Sequence, residues 1–231
     1  MNVFDSITGY KPARKFDAKP VSDKQIGVLL YMASRSQSAG NTQEWHFVIV
    51  DDPKQKELLS HAALKLAIVK EAPVVIVICA DLARISNRYG TRGEIVYAVQ
   101  DTAVAVNNIL ISATALGLGA DWIRTFDEEE VKAVLELPDS LRPLSIIPVG
   151  YPLEKSKDMP SEDFERLVSV NRFSQKYEMS LATKPGMESQ MVVKPIGKYV
   201  EDILKDLKED VMEKSDKRKR KFRDFVRKLK R

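Results

Sequence analysis

The chain reads Gln37-Ser38-Ala39-Gly40-Asn41-Thr42-Gln43-Glu44-Trp45 between a predicted helix and a predicted strand. Ser38, Asn41 and Gln43 carry polar side chains that bond readily to backbone or ligand, and Gly40 lets the chain turn where a side chain would clash. Such a loop suits a flat, hydrogen-bonding ligand. Its composition also fits an ordinary helix-to-strand connection, because Ser, Gly and Asn are common turn formers.

Regular elements are predicted on both sides of this loop. Ser22 and Gln25 form a capping box, and apolar residues at helical spacing extend that helix to Ser36. Aromatic and β-branched residues predict a strand over 45–50. The continuous Val/Ile run over 73–80 is typical of a central strand that is covered on both faces.

Further elements follow along the chain. We predict a helix that Asp52 and Pro53 begin. The weakly charged stretch 94–116 predicts a buried helix about 35 Å long. Strands are predicted over 121–126 and 144–149, with a helix between them that Asp127 and Glu130 cap. The arginine-rich stretch 81–93 fits either a loop that caps a site or an exposed basic loop.

The composition fits one large globular domain with an appendage. The 231 residues are 44% apolar, which is enough to bury one substantial core. Because Cys79 is the single cysteine, no disulfide can form within the chain, and this fits a reducing compartment. We recognise neither a leader sequence nor an uninterrupted apolar run of about 18 residues, so we expect a cytoplasmic location without a membrane span.

Positive charge is concentrated in the C-terminal tail. Residues 214–231 hold eleven Lys or Arg and two Asp, a net charge of +9, whereas the whole chain carries +4 and the preceding part therefore carries −5. The high pI is thus no sign of nucleic-acid binding. We predict an irregular linker over 174–198 and a basic amphipathic helix over 199–231.

Three roles for this tail fit its pattern. It suits an anionic membrane surface, a protein partner, or a solvated helix with one face on its own dimer. Nucleic acid is the least favoured partner, because no aromatic residues are interleaved for base stacking.

The loop at 37–45 closely resembles the flavin-binding loop of the nitroreductase family, FMN-dependent NAD(P)H oxidoreductases, which typically reads Pro-Ser-Ser/Ala-Gly-Asn-x-Gln-Pro-Trp. Gln37 and Glu44 stand where that pattern has proline. Two later stretches, 150–152 and 171–173, also resemble family sequences, so the likeness spans about residues 7–173. It implies an α+β fold with a mixed central sheet flanked by helices, with residues 1–173 as the FMN-binding domain. It also implies a homodimer whose interface forms two FMN sites.

The resemblance assigns cofactor contacts to residues of this chain. Lys11 and Arg14 match basic residues that hold the FMN phosphate, while the loop residues contact the flavin ring or ribityl chain: Ser38, Ala39, Asn41 and Gln43. Arg124 replaces a family glycine near the flavin edge, and it fits contact with a substrate, contact with the phosphate, or solvent exposure.

Several positions depart from the family pattern. Tyr10 stands in place of an arginine and Pro12 in place of a serine, which removes a charge, a hydroxyl and a backbone donor. Where relatives carry further arginines for the phosphate, residues 161–163 read Ser, Glu, Asp, and the acids repel a phosphate.

The resemblance implies an oxidoreductase that takes hydride from NADH or NADPH onto FMN and reduces a nitroaromatic, a quinone or a similar acceptor by a ping-pong mechanism. No metal-ligand cluster or Ser/His/Asp constellation is recognisable, so we assign no metal and no catalytic side chain. Two alternatives remain open. One is a non-catalytic flavin- or ligand-binding module tethered through the basic tail, and the other is a different flavin reaction such as dehalogenation or dehydrogenation.

Overall fold

The computed structural model describes residues 3–157 and 164–175. One compact unit spans Met1–Asp158. Along it the elements are α1 (Val3–Gly9), β1 (Ala13–Phe16), α2 (Asp23–Ser34), β2 (Trp45–Val50), α3 (Pro53–Ala62), α4 (Ala67–Glu71), β3 (Val74–Asp81), α5 (Leu82–Arg92), α6 (Ala98–Ala115), β4 (Gly119–Ala120), α7 (Glu128–Leu135), β5 (Leu141–Gly150) and β6 (Pro152–Lys155).

A four-stranded sheet in the order β2-β3-β5-β4 forms the centre of this unit. Every pairing in it is antiparallel. The predicted α+β class is confirmed, but the sheet of the described residues is antiparallel and not mixed. The reason is that an apolar run indicates burial of both strand faces, as holds for the almost fully buried β3, and carries no information on strand direction.

Alternate residues of the central strands supply the two cores of the unit. On one face Ile76 and Ile147 pack with residues of α2 and α6. On the other face Val77 and Ile146 pack with residues of α3, α4 and α7. This two-sided packing fixes the ends of α2 and β2, and hence the loop between them.

The N-terminal ends of the elements follow their capping residues. Ser22 caps α2 in the predicted capping box with Gln25, Asp52 caps α3 and Asp127 caps α7. A second sheet pairs β1 with β6, antiparallel, and places Arg14 opposite the C-terminal end of β6.

Two stretches differ from the sequence-based prediction. The predicted loop over 81–93 is largely the helix α5, and a π-helical turn, Gly93–Tyr97, joins it to α6. The predicted strand over 121–126 is reduced to a single bridge between Ile123 and Ile146, preceded by the two residues of β4. The Asp121 N–H still donates to the Pro148 carbonyl of β5 at 3.3 Å, and the Asp121 side chain accepts the Trp122 N–H at 2.8 Å.

The helical stretch Leu82–Ala115 is long and apolar enough to cross a membrane by length and composition alone. This is weak evidence, because the core helix of a soluble protein passes the same test. Eight residues of α6 are buried in the unit, among them Asp101 and Thr102, which suits a core helix.

The remaining described residues, 164–175, contain the short helix α8 (Phe164–Leu167). Most of the predicted linker over 174–198 and the whole predicted tail helix over 199–231 lie outside the described residues. Residues 161–163, which include the acids Glu162 and Asp163, also lie outside the described residues.

Candidate functional site

The loop between α2 and β2 is a tight turn with a left-handed backbone. A short 3₁₀ turn spans Ala39–Asn41. Gly40 has φ 55°, Asn41 has φ 59° and Gln43 has φ 50°. Residues other than Gly and Asn rarely adopt this conformation. The backbone shape of the turn therefore depends on Gly40 and Asn41.

Polar side chains of the turn bond to one another and line a cavity. Ser38 Oγ accepts the Gln43 N–H at 3.0 Å, and Gln43 Nε2 donates to Asn41 Oδ1 at 2.9 Å. The cavity measures about 430 Å³ and is lined by Ser34, Arg35, Ser36, Gln37, Ser38, Asn41 and Gln43. Three of the predicted cofactor-binding residues therefore face one polar cavity of a size that suits a ligand.

Two buried acids support the turn from below. Asp101 of α6 accepts the Ala39 N–H through Oδ2 at 2.7 Å, which holds the fourth predicted loop residue in place. Glu44 is fully buried, and burial raises the pKa of its carboxyl; a hydrogen bond from Thr42 lowers this pKa and the neighbouring Asp101 raises it. These acids anchor the turn to the core, while Gly40, Asn41 and Gln43 themselves are exposed.

Helix α5 covers the turn from the other side. Arg84 Nη1 donates to the Gln43 carbonyl at 2.8 Å, and Arg88 Nη1 donates to the Gly40 carbonyl at 2.5 Å. A Cβ added at Gly40 would lie 2.2 Å from Tyr89 Oη. The absence of a side chain at Gly40 therefore lets α5 approach the turn closely.

A second group of site residues lies around β1, next to the residues that follow β4 and β6. Arg14 Nε donates to Ser156 Oγ at 2.8 Å, and Arg14 Nη1 lies 3.6 Å from Asp121 Oδ2. Arg124 is exposed, and its guanidinium carbon lies 4.7 Å from the centre of the Trp122 ring, a cation–π contact.

Tyr10 and Asp121 belong to this second group. The pKa of Tyr10 is raised to about 12, chiefly by burial and also by Asp121, while Arg14 and Arg124 lower it. Burial also raises the pKa of Asp121, which the same two arginines lower. Arg14 and Arg124 thus both act on Tyr10 and Asp121.

Lys11 is partly buried and lies just before β1. We call Ser38, Ala39, Asn41 and Gln43 the turn group and Lys11, Arg14 and Arg124 the cationic group. Within one chain no member of the cationic group lines the 430 Å³ cavity of the turn group.

Comparison with known proteins identifies the fold. The family model described as Nitroreductase family matches residues 11–70 and 53–151. The chain belongs to the nitroreductase family. A Methanothermobacter thermautotrophicus protein, named as a candidate NADH dehydrogenase/NAD(P)H nitroreductase, is 32% identical over 160 residues, which cover 67% of this chain and 79% of that protein.

Two further family members are similar to this chain, one in sequence and one in structure. The FMN reductase [NAD(P)H] of Bacillus subtilis is 26% identical over 171 residues, covering 68% of this chain and 69% of that enzyme. The solved structure of the NfrA1 nitroreductase from B. subtilis superimposes with a TM-score of 0.69 at 25% identity, covering 74% of this chain and 75% of that one.

A second cavity of this nitroreductase-family chain holds none of the predicted site residues. It measures about 640 Å³, and its wall includes Ile26 and Leu30 of α2 and Ile49 of β2. Its buried cation, Lys56, donates through Nζ to the Ala72 carbonyl at 2.7 Å and to the Pro73 carbonyl at 3.3 Å, and desolvation lowers its pKa. These bonds give Lys56 a structural role.

Within residues 3–157 and 164–175, no group of three or more His, Cys, Asp or Glu side chains is placed to hold a metal ion. The free Cys79 is buried, and burial raises the pKa of its thiol to about 12. Neither observation adds a further chemical group to the two groups described above.

Sequence reasoning missed several residues that build the family loop in this chain. Asp101 is not among the residues singled out from the sequence, although a lone acid among apolar residues signals a buried partner. Glu44 is identified there only as a departure from proline. Arg84 and Arg88 fall in the stretch expected to be a loop that caps a site or an exposed basic loop. However, three residues at helical spacing could have indicated α5: Leu82, Ile85 and Tyr89.

Proposed function

We propose that this chain is an FMN-dependent NAD(P)H oxidoreductase. The observation that carries the proposal is the turn 38–43, whose left-handed backbone and polar side chains shape a cavity of about 430 Å³. The names of family relatives, such as the FMN reductase [NAD(P)H] of B. subtilis, support this cofactor and this electron donor.

The donor sets of the two groups fit the two ends of FMN. Asn41 and Gln43 each carry an amide that both donates and accepts, which matches the edge of a flavin ring or a ribityl chain. Arg14 is 55% exposed and carries five N–H donors suited to a phosphate. We assign Ser38, Ala39, Asn41 and Gln43 to the ring and ribityl end, and Lys11, Arg14 and Arg124 to the phosphate end.

A bound FMN supplies the hydride chemistry, and the chain supplies position and electrostatics. Arg84 and Arg88 lie on the helix that covers the turn, so they give this side of the site a positive potential that attracts an anionic dinucleotide. We propose that NADH or NADPH and the acceptor, a nitroaromatic, a quinone or a similar compound, use one pocket in turn, which is a ping-pong mechanism.

We also propose a homodimer in the cytoplasm. Large apolar side chains are exposed on three helices of the unit: Val3, Phe4 and Ile7 on α1, Tyr31 and Met32 on α2, and Val99 and Val104 on α6. Such a surface suits contact with a second copy of the chain. Because the turn group and the cationic group are separate in one chain, a dimer offers a way to bring them together from two chains.

One observation favours a binding module without catalysis. Asp121 lies 3.6 Å from Arg14, and Tyr10 occupies a position where the family pattern has arginine. A phosphate at Arg14 must therefore compete with a carboxylate and lacks one cation. If this competition prevails, the chain binds a ligand at the turn, directed by its basic tail, without turning over a flavin.

The visible absorption spectrum of the purified protein separates these two functions. We expect a yellow protein, or one that turns yellow with added FMN, and loss of the flavin absorbance when NADH or NADPH is added without oxygen. A colourless protein that does not bind added FMN would exclude the oxidoreductase and favour the binding module without catalysis. A yellow protein that does not react with either nicotinamide would support FMN as the cofactor but would refute NADH and NADPH as electron donors.

A further inference from the structure

Two buried carboxyl groups meet beneath the turn 38–43. Glu44 is fully buried and Asp101 is 8% exposed. Asp101 is also the neighbouring charge that acts on the Glu44 carboxyl. Two ionised carboxylates in such a place repel each other and lose their hydration, so at least one of them is expected to carry a proton.

The hydrogen bonds of Thr42 indicate which acid carries the proton. Thr42 Oγ1 lies 2.9 Å from the Ala39 carbonyl oxygen and 2.7 Å from Glu44 Oε2. A hydroxyl has one proton to donate, and a carbonyl oxygen can only accept. With an ionised Glu44, Thr42 can donate to Glu44 Oε2 or to the Ala39 carbonyl but not to both. Both contacts are hydrogen bonds at once only when a protonated Glu44 donates to Thr42 and Thr42 donates to Ala39.

The other oxygen of Glu44 leads to the same conclusion. Glu44 Oε1 is buried and, among the described residues, has no hydrogen-bond partner. A carboxylate oxygen that is both charged and unpartnered in a core is very costly, whereas the carbonyl oxygen of a neutral acid costs much less. Asp101, by contrast, accepts a backbone N–H, which suits the charged form.

We propose that Glu44 is a neutral carboxylic acid at pH 7 and that its proton, donated to Thr42, fixes the shape of the turn 38–43. Glu44 is thus a positioning residue for the candidate cofactor site. The inferred effect on FMN rests on the proposed function, while the inferred protonation does not.

The charged groups around Glu44 do not offset Asp101. Those on the elements packed against the turn are Asp101 on α6, Asp81 at the end of β3, and Arg84 and Arg88 on α5. Arg84 and Arg88 donate to backbone carbonyls of the turn, and Arg84 also lies 4.0 Å from Asp81. The Asp81 N–H donates to the Glu44 carbonyl oxygen at 2.6 Å and not to the side chain. The neighbouring side chains of Tyr89 and Tyr97 cannot supply a positive charge.

The protonation of Glu44 has a defined effect on stability. Because its pKa is raised in the folded chain, the neutral acid is bound more tightly there than in the unfolded chain. The resulting stability is complete below the usual pKa of 4.5 and is lost as the pH rises through the raised pKa. A glutamine at this position is neutral at every pH and does not lose stability in this way.

The first test compares the stability of the wild type, Glu44→Gln and Glu57→Gln by chemical denaturation from pH 5 to pH 9. Glu57 is an exposed residue of α3 and serves as the control for the same substitution. We expect the folded-to-unfolded ratio of the wild type to fall relative to Glu44→Gln by up to about tenfold per pH unit between the usual pKa of 4.5 and the raised pKa, and to stay constant relative to it above the raised pKa. Parallel curves for the wild type and Glu44→Gln would overturn the proposal.

The second test uses the full chain and covers the case in which Glu44→Gln fails to fold. Asp101→Asn keeps an oxygen for the Ala39 N–H but removes the like charge, so the loss of stability should move to lower pH. The infrared spectrum of the wild type at pH 7 should show the carbonyl stretch of a buried carboxylic acid that weakens in Asp101→Asn. An unchanged pH profile together with no such band would refute a neutral Glu44.

The third test concerns the cofactor and is read separately. We expect the FMN affinity of the wild type to fall as the pH rises, and that of Glu44→Gln to stay constant. If neither protein binds FMN at any pH, the proposed function fails, while the denaturation and infrared results still decide the protonation. If both bind FMN with the same pH dependence, Glu44 does not position the site.

Discussion

Asn41 combines a left-handed backbone with a side chain that faces the cavity, so its two contributions must be separated. We expect Asn41→Ala and Asn41→Gly both to weaken FMN binding by about three- to tenfold, since each loses one side-chain hydrogen-bonding group worth about 1 kcal/mol. Glycine tolerates φ 59° and alanine does not. If a fluorescence titration shows weaker binding only for the alanine variant, the backbone shape matters and the side-chain contact does not.

Gly40 allows the turn and α5 to touch, and its substitution tests that contact. Gly40→Ala places a methyl group near Tyr89 and Arg88 and strains a residue at φ 55°, so we expect a loss of about 1–2 kcal/mol in the free energy of unfolding. Gly27→Ala is the control, because Gly27 lies within α2 with nothing within 4 Å of an added methyl group. Chemical denaturation should show a stabilisation of up to about 1 kcal/mol for this control. Equal effects of the two substitutions would refute the close packing.

At the scale of the element, α5 depends on contacts that lie far away in the sequence. We expect Arg84→Ala/Arg88→Ala to loosen α5, because the two guanidinium groups bond to the carbonyls of Gln43 and Gly40. Hydrogen exchange should become faster in α5 and remain unchanged in β3, since the lost contacts affect a local opening and not the core. Lys54→Ala, which removes an exposed cation on α3, is the control. Unchanged exchange in α5 would mean that its apolar contacts alone hold it.

Elements with a strong local pattern were predicted well. The strand over 45–50 is confirmed as β2, and the capping box at Ser22 is confirmed at the start of α2. The helix α5 was not predicted, although Leu82, Ile85 and Tyr89 stand at helical spacing; its arginines bond to a loop some forty residues earlier, which the sequence does not reveal. The antiparallel direction of the strands was also not predicted, because burial of a strand does not determine whether its neighbours run parallel or antiparallel to it.

For the molecule as a whole, the candidate site was only partly predictable. The polar side chains of the turn were recognised, but the pair of Glu44 and Asp101 was not, because a contact between residues 57 positions apart has no local signature. The helix over 94–116 was predicted to be buried on nearly every side. Within one unit, Val99 and Val104 are 43% and 42% exposed, which leaves part of its apolar surface for another partner.

That exposed surface of α6 leads to a prediction about assembly. We expect the wild type to sediment as a dimer and Val104→Lys to shift toward a monomer, because burying an unpaired ammonium group in an apolar interface is strongly unfavourable. Leu153→Lys is the matched control. Leu153 is 62% exposed and belongs to β6 of the two-stranded sheet, not to the exposed surface of α6. Because the turn group and the cationic group are separate within one chain, Val104→Lys should also weaken FMN binding, whereas Leu153→Lys should not. A monomeric wild type that binds FMN tightly would contradict both expectations and would require one chain to complete the site alone.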